Sequence, residues 1–153
     1  MKIDISTLTS DAPEDLATLI EVFKEVFGTD YDSPATSDHL RKILSKDSFY
    51  AIVAREEQKI VGGLTVHILD QYYSNKPVAY IYDLAVLVEY QRQGIGSSLI
   101  EFAKEHSRNL GCEEMFVQVE KVDFFALDFY RTTDVSEEDA VVHFTYYLKN
   151  GKN

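Results

Sequence analysis

The sequence predicts an α+β fold with a mainly antiparallel sheet flanked by helices, and three observations predict it. Strand-like runs at residues 49–56 and 59–70 flank a tight polar turn, and the next run, from residue 80, follows the short turn Ser-Asn-Lys-Pro. Helical periods of 3.6 separate the other strand-like runs. The resulting order, β-α-α-β-β-β-α-β-α-β, places most strands beside sequence neighbours with helices to cover them.

Each element has its own signal. Residues 2–7 form a short first strand. Asp11 and Glu14 have the spacing of a capping box, opening a helix that carries Leu16, Leu19, Ile20, Phe23 and Phe27 on one face and stops at Gly28. A polar, acidic loop (29–38) leads to a second short helix marked by Leu40, Ile43 and Leu44. The strands at 49–56, 59–70 and from Tyr80 follow. Ile95, Leu99, Phe102, Ala103, His106 and Leu110 share one face of a third helix, ended by Gly111. Residues 114–120 read as a strand, and Asp123 as the cap of a short helix with Ala126, Phe129 and Tyr130 at i, i+3, i+4. The apolar run 140–148 is expected to be the last strand.

Length and composition set the frame. The 153 residues are expected to form one domain, 1–153, with no repeat, linker or low-complexity tract. Hydrophobic residues make up 45%, which argues against disorder, and no apolar run approaches membrane-spanning length. The amino-terminal stretch lacks an apolar secretory core, and Cys112 is the only cysteine, so a cytoplasmic location and no disulfide are expected. With 26 acidic against 15 basic side chains the net charge is −11. Such a field repels nucleic acid and attracts cations, although a soluble acidic surface alone would give the same balance.

The most informative stretch runs from Tyr80 to His106, where a run of β-formers containing Asp83 gives way to Gln-Arg-Gln-Gly-Ile-Gly and then to a helix. Gly94 and Gly96 let a ligand approach the main chain, and the first-turn N–H groups with the helix dipole form an anion site suited to a phosphate or pyrophosphate. Ser97 and Ser98 add hydroxyls and Arg92 a fixed positive charge. The same turn could use its glycines for geometry alone. A dinucleotide fingerprint would need glycine where Leu99 stands, and no Gly-Lys-Ser/Thr follows to make a P-loop.

Gln91-x-x-Gly94-x-Gly96, placed after the fourth strand and at the head of the third helix, resembles the acyl-CoA pyrophosphate loop of the GCN5-related N-acetyltransferases (GNAT). A closer resemblance covers nearly the whole chain, to the type I aminoglycoside 3-N-acetyltransferases (gentamicin acetyltransferases). It is carried by residues 23–28, the Tyr-Ile-Tyr-Asp-Leu-Ala-Val of residues 80–86, Glu89-x-x-Arg92-Gln93-Gly94-Ile95, Val117-Gln118, Asp123-x-x-Ala126-x-x-x-Tyr130 and residues 141–144. The chain departs from that family after Tyr130, with Asp134 where glycine is usual and a longer loop following.

The resemblance implies a GNAT-type sheet and transfer of an acetyl group from acetyl-CoA to an amine. The implied cofactor set is Gln91, Arg92, Gln93, Gly94, Ile95, Gly96, Ser97 and Ser98 for the pyrophosphate, and the main chain of Leu84, Ala85 and Val86, at a splayed strand, for the thioester carbonyl. It also implies Tyr130 as the acid that protonates the leaving thiolate; in isolation, an aromatic paired with Ala126 would be core.

Alkylammonium groups titrate near about 10, so the acceptor needs a base. Asp83 is the candidate, binding the ammonium and taking its proton. Alternation puts Ile81, Asp83 and Ala85 on one face and Tyr80, Tyr82, Leu84 and Val86 on the other. A buried carboxylate there must be paired or functional, and a structural aspartate bonded to main chain, His143 or His67 is the alternative. Glu120 could add a second acceptor carboxylate or equally be a solvated strand end; Asp30 and Asp32 could form an acidic rim, although taken singly each reads as just a loop acid. His143 joins the acceptor set, though a histidine on an apolar strand is more often part of a core. No metal-ligand spacing is present.

The expected acceptor is a cationic amine, an aminoglycoside first and a polyamine second, with neither nucleic acid nor membrane as partner. Protein N-termini suit an acidic rim less well. A non-catalytic acyl-CoA sensor is the reading from another class, against which the presence of both Asp83 and Tyr130 argues. The aromatic last strand permits a homodimer.

Overall fold

The computed structural model describes residues 2–31 and 33–149, so Asp32 lies outside the described residues. The described chain resolves into two compact units, one ending at Val119 and the other beginning at Glu120.

The first unit is a five-stranded sheet in the order β1-β2-β3-β4-β5. Its strands are β1 (Ile3–Thr7), β2 (Phe49–Glu56), β3 (Lys59–Leu69), β4 (Val78–Val86) and β5 (Glu114–Val117). The first four pair antiparallel, and β5 pairs parallel with β4. That is the α+β, mainly antiparallel arrangement expected, although β5 ends at Val117 rather than residue 120.

Helix α1 (Pro13–Phe27) covers one face. Its Leu16, Leu19, Val22 and Phe23 are buried, and a Cβ on Gly63 would come within 2.7 Å of a Leu19 methyl and collide with the Ile52 carbonyl. Glycine there lets the helix sit directly on the sheet. The expected capping box does not form. Ala12 is the N-cap without a side-chain bond, because Pro13 at the first helical position has no N–H to satisfy and fixes the turn itself. Helix α2 (Ser37–Leu44) packs against α1, and the hydroxyl of Thr36 accepts from the His39 N–H at 3.2 Å.

Helix α3 (Ile95–Asn109) covers the opposite face with Ile95, Leu99, Ile100, Ala103 and Ser107. Tyr50 of β2 donates to the Ala103 carbonyl at 3.2 Å and lies 2.7 Å from the Ser107 hydroxyl, so the polar groups between α3 and the sheet are satisfied. Leu110, expected on the buried face, is exposed at the helix end.

The register contains the main correction to the sequence reading. Along β4, Asp83 faces Thr65 of β3, but the next pair is Ile81 with Val66, so Tyr82 is an inserted residue. This β-bulge breaks the alternation. Because Thr65 and Val66 point to opposite faces, so do Asp83 and Ile81. Tyr80, in register with His67, shares the face of Asp83. Ile81 is instead buried on the α3 side, in line with Tyr50 and Val66.

In the second unit, helix α4 (Phe124–Thr132) starts as expected at Asp123, whose carboxylate accepts from the Ala126 N–H at 3.1 Å. Residues 140–148 carry no strand, against expectation. Val142, Phe144, Tyr146 and Leu148 are exposed, and β-forming composition alone does not specify a strand.

Candidate active site

Three features of the first unit converge on the second half of β4. Pairing between β4 and β5 stops at Ile81 with Val117, immediately before the bulge. The Leu87 N–H donates to the Val61 carbonyl at 2.9 Å, so Leu87 and, two residues earlier, Ala85 turn their main chain toward β3. Leu84 and Val86 consequently turn theirs toward the edge that β5 leaves. On that edge the Val86 carbonyl accepts from the Gln91 side chain at 2.7 Å. Strand alternation therefore separates the expected trio: the N–H groups of Leu84 and Val86 lie on the vacated edge, and that of Ala85 belongs to the sheet.

The loop from β4 to α3 follows at once. A short 3-10 turn (Val88–Tyr90) precedes Gln91, and Arg92 has φ 62, a left-handed conformation uncommon for a residue with a side chain. Gly94 (φ 85) is the N-cap of α3 with no side-chain cap. Glycine supplies this conformation without a Cβ, leaving the first-turn N–H groups uncovered by a capping side chain. Ser97 and Ser98 are exposed beside them, and Gln93, Gly94, Ile95 and Ser98 line a cavity of about 180 Å³ with Ile3 and Ile5 of β1. The main chain, the serines and the Arg92 charge form a set of donors that fits a pyrophosphate.

Asp83 is half-buried, and burial raises its carboxyl above the usual aspartate range. Among the described residues of its unit no hydrogen bond or ion pair reaches that carboxylate. His67, one partner a structural role would have used, packs instead against Phe49 and Tyr82 at ring separations of 5.3 and 5.5 Å. Tyr80 lies close enough for its phenol to be raised by burial, by Tyr82 and by Asp83, and it donates to Gln118 at 3.3 Å.

The remaining predicted residues are distributed differently. Asp30 is exposed, lies 3.4 Å from Lys24, and lines a cavity of about 620 Å³ with Glu21, Glu25, Lys59 and Leu87, a lining that does not include Asp83. The second unit holds Glu120, Tyr130 and His143. Glu120 is exposed and accepts the Asp123 N–H through its carbonyl. Tyr130 is half-buried on α4 with its ring 4.9 Å from that of Phe129. His143 is exposed outside any strand, which removes it from the apolar-strand setting expected of it. Sequence reasoning missed Tyr80 and Tyr82 as companions of Asp83. The signal was the unbroken run Tyr-Ile-Tyr-Asp, which leaves no parity that buries every large residue and solvates the acid. Among the described residues no cluster of metal ligands occurs, and no helix is long and apolar enough to cross a membrane.

A strand that parts from its neighbour at a bulge, followed by a glycine turn into a helix N-terminus, is an arrangement that can receive an acyl-CoA. Residues 16–133 match the acetyltransferase (GNAT) family, and the chain belongs to that family. Acetyl-CoA is the family's acyl donor. An aminoglycoside acetyltransferase from an uncultured soil metagenomic sample, solved in complex with trehalose, is 49% identical with a TM-score of 0.93, over 96% of this chain and 97% of that one. The same enzyme solved in complex with sisomicin gives 48% and 0.93 over the same shares. A second aminoglycoside acetyltransferase from an uncultured soil metagenomic sample is 32% identical with a TM-score of 0.90, over 97% of this chain and all (100%) of that one. The N-alpha-acetyltransferase 60 of Xenopus tropicalis is 26% identical over 134 residues, 76% of this chain; the chain spans about half (54%) of that relative's length.

Proposed function

We propose that this protein moves an acetyl group to an amine of a polycationic small molecule, and that the acceptor is the 3-amino group of an aminoglycoside. The observation that carries the proposal is Asp83: a partly desolvated carboxylate with no hydrogen bond or ion pair among the described residues of its unit, one residue past the bulge and beside the vacated strand edge. An ammonium group brought there supplies the missing counter-charge, and the carboxylate then accepts its proton. A raised carboxyl value brings Asp83 closer to the range in which a base both accepts and releases protons near neutrality.

Acetyl-CoA, when bound, supplies the acyl group as an activated thioester. The N–H groups of Leu84 and Val86 are oriented to stabilise negative charge at the reacting carbonyl. Gln91 keeps that edge in place through the Val86 carbonyl, and the first turn of α3 with Arg92, Ser97 and Ser98 holds the pyrophosphate. The family resemblance makes Tyr130 the proposed donor of the proton that the departing sulfur takes. We assign the two compact units to one catalytic domain, because the family match at residues 16–133 runs across their boundary. A cytoplasmic setting fits the single thiol of Cys112 and the nature of the donor.

The aminoglycoside assignment draws on the relative solved with sisomicin and on residues 80–86 and 123–130, which match the type I 3-N-acetyltransferases. Thiol release from acetyl-CoA, measured with sisomicin, spermidine and an N-terminal peptide, tests it, followed by NMR of the acetylated product. Turnover with sisomicin and a product acetylated at the 3-amino group are expected. Release with spermidine or the peptide alone would overturn the acceptor, and a product acetylated at another amine would overturn the position.

A further inference from the structure

The face of the sheet that carries Asp83 also carries a row of rings crossing four strands. Phe49 of β2 is in register with His67 of β3, His67 with Tyr80 of β4, and Tyr80 with Phe116 of β5. Phe49 and His67 are 5.3 Å apart, and Tyr80 stacks on Phe116 at 4.8 Å with the planes 7° apart. Tyr82, the inserted residue of the bulge, closes the row: its ring lies 5.5 Å from His67 and 5.8 Å from Tyr80, both edge to face. Those two neighbours fix its ring while 60% of the residue stays exposed.

The next row on the same face is Ala51, Thr65 and Asp83, and the one beyond it is Val53, Gly63 and Ala85. The neighbours of Asp83 in these rows are small and buried, with Gly63 packed against Leu19 of α1, so the carboxylate lies between that packed core and a wall of rings. The chemistry of a wall and a carboxylate together is selective. Aromatic faces carry negative charge density and attract polarised C–H groups and ammonium groups. A saturated six-membered ring bearing amines presents a flat C–H face to such a wall while one of its ammonium groups meets the carboxylate. A linear polyamine offers the ammonium without the face, and must also freeze several rotatable bonds.

Resting on the reading of Asp83 as the acceptor carboxylate, we propose that Tyr82, fixed by His67 and Tyr80, is the specificity-determining platform that stacks the ring carrying the reacting amine. The site therefore takes ring-borne amines in preference to linear ones. The bulge is what makes this possible, because in an unbroken strand Tyr80 would face away from Asp83.

The test is steady-state thiol release by the full chain with sisomicin and with spermidine, comparing wild type with Tyr82→Ala, Tyr82→Leu and Tyr82→Phe. Removing the ring should raise the KM for sisomicin about tenfold while kcat stays within about twofold, and the KM for spermidine should hold. Tyr82→Leu keeps apolar bulk and should behave like Tyr82→Ala, whereas Tyr82→Phe should restore the wild-type KM. An unchanged sisomicin KM in both Tyr82→Ala and Tyr82→Leu, or an equal rise for both acceptors, overturns the platform and leaves the aminoglycoside reading standing. A wild-type enzyme that turns over spermidine and not sisomicin overturns the aminoglycoside reading, and the platform with it.

Discussion

Asp83 and Tyr50 occupy opposite faces of the same sheet, and both have their titration shifted by burial. Tyr50 is buried under α3, and its phenol is pushed up to about 12, chiefly by desolvation. Its hydroxyl nevertheless has the Ala103 carbonyl and the Ser107 hydroxyl within reach. Asp83 is raised by burial as well and has neither hydrogen bond nor ion pair among the described residues of its unit. The difference separates two uses of a desolvated polar group. One whose partners are built into the fold contributes to stability; one left without partners is a cost to the fold that a ligand can offset.

The comparison can be broken most forcefully at Asp83. Asp83→Asn keeps the shape and removes the charge, so amine-dependent turnover should fall by about a hundred- to ten-thousandfold, as for loss of a general base. CoA binding, followed by calorimetry, should be unchanged. Tyr130→Phe asks whether the second unit contributes a proton. Turnover should fall by roughly ten- to a thousandfold if the phenol is the acid, and hold if the ring is only packing. A Val in place of Gly96 tests the loop that fits the pyrophosphate: CoA affinity should drop about tenfold or more as a side chain intrudes on the helix N-terminus, with the melting temperature little altered. The smallest effect is expected on the other face. Tyr50→Phe should cost about 1–2 kcal/mol in urea denaturation by leaving Ser107 with a lost partner, and should leave turnover alone. A loss of activity there would blur the distinction between the two faces.

Much of this layout was legible in the sequence because its signals are local. The 3.6 period of residues 95–110 and the glycines at 94 and 96 specify a helix and its entry, and Asp123 specifies a cap that depends on one side chain and one N–H. What sequence could not supply depends on neighbours. The bulge at Tyr82 exists only relative to the β3 ladder, and a single insertion reverses the face of every residue before it. Strict alternation therefore put Tyr80 opposite Asp83 and hid the aromatic row. Residues 140–148 failed in the converse way: their composition is that of a strand, yet no strand forms there. The Asp11–Glu14 spacing was overridden by Pro13, whose fixed φ begins α1 one residue later without help from a carboxylate.

The central claim, that Asp83 is desolvated for catalysis and not for architecture, can be tested through stability and activity in one variant. A carboxyl whose value is raised in the folded state contributes stability that is present at low pH and lost as pH rises through that folded value. At neutral pH the ionised side chain therefore weighs against folding, and Asp83→Asn relieves it. The relief should shrink as pH falls through the raised folded value toward about 4, below which Asp83 is protonated in the folded and unfolded chains alike and none remains. The decisive measurement is the melting temperature of wild type and Asp83→Asn between pH 4 and pH 8, taken alongside amine-dependent thiol release. The expected result is an Asn variant at least as stable as wild type at neutral pH, with its advantage shrinking on acidification, and almost inactive. An Asn variant that melts lower at neutral pH and still acetylates would make Asp83 a structural residue and contradict the claim.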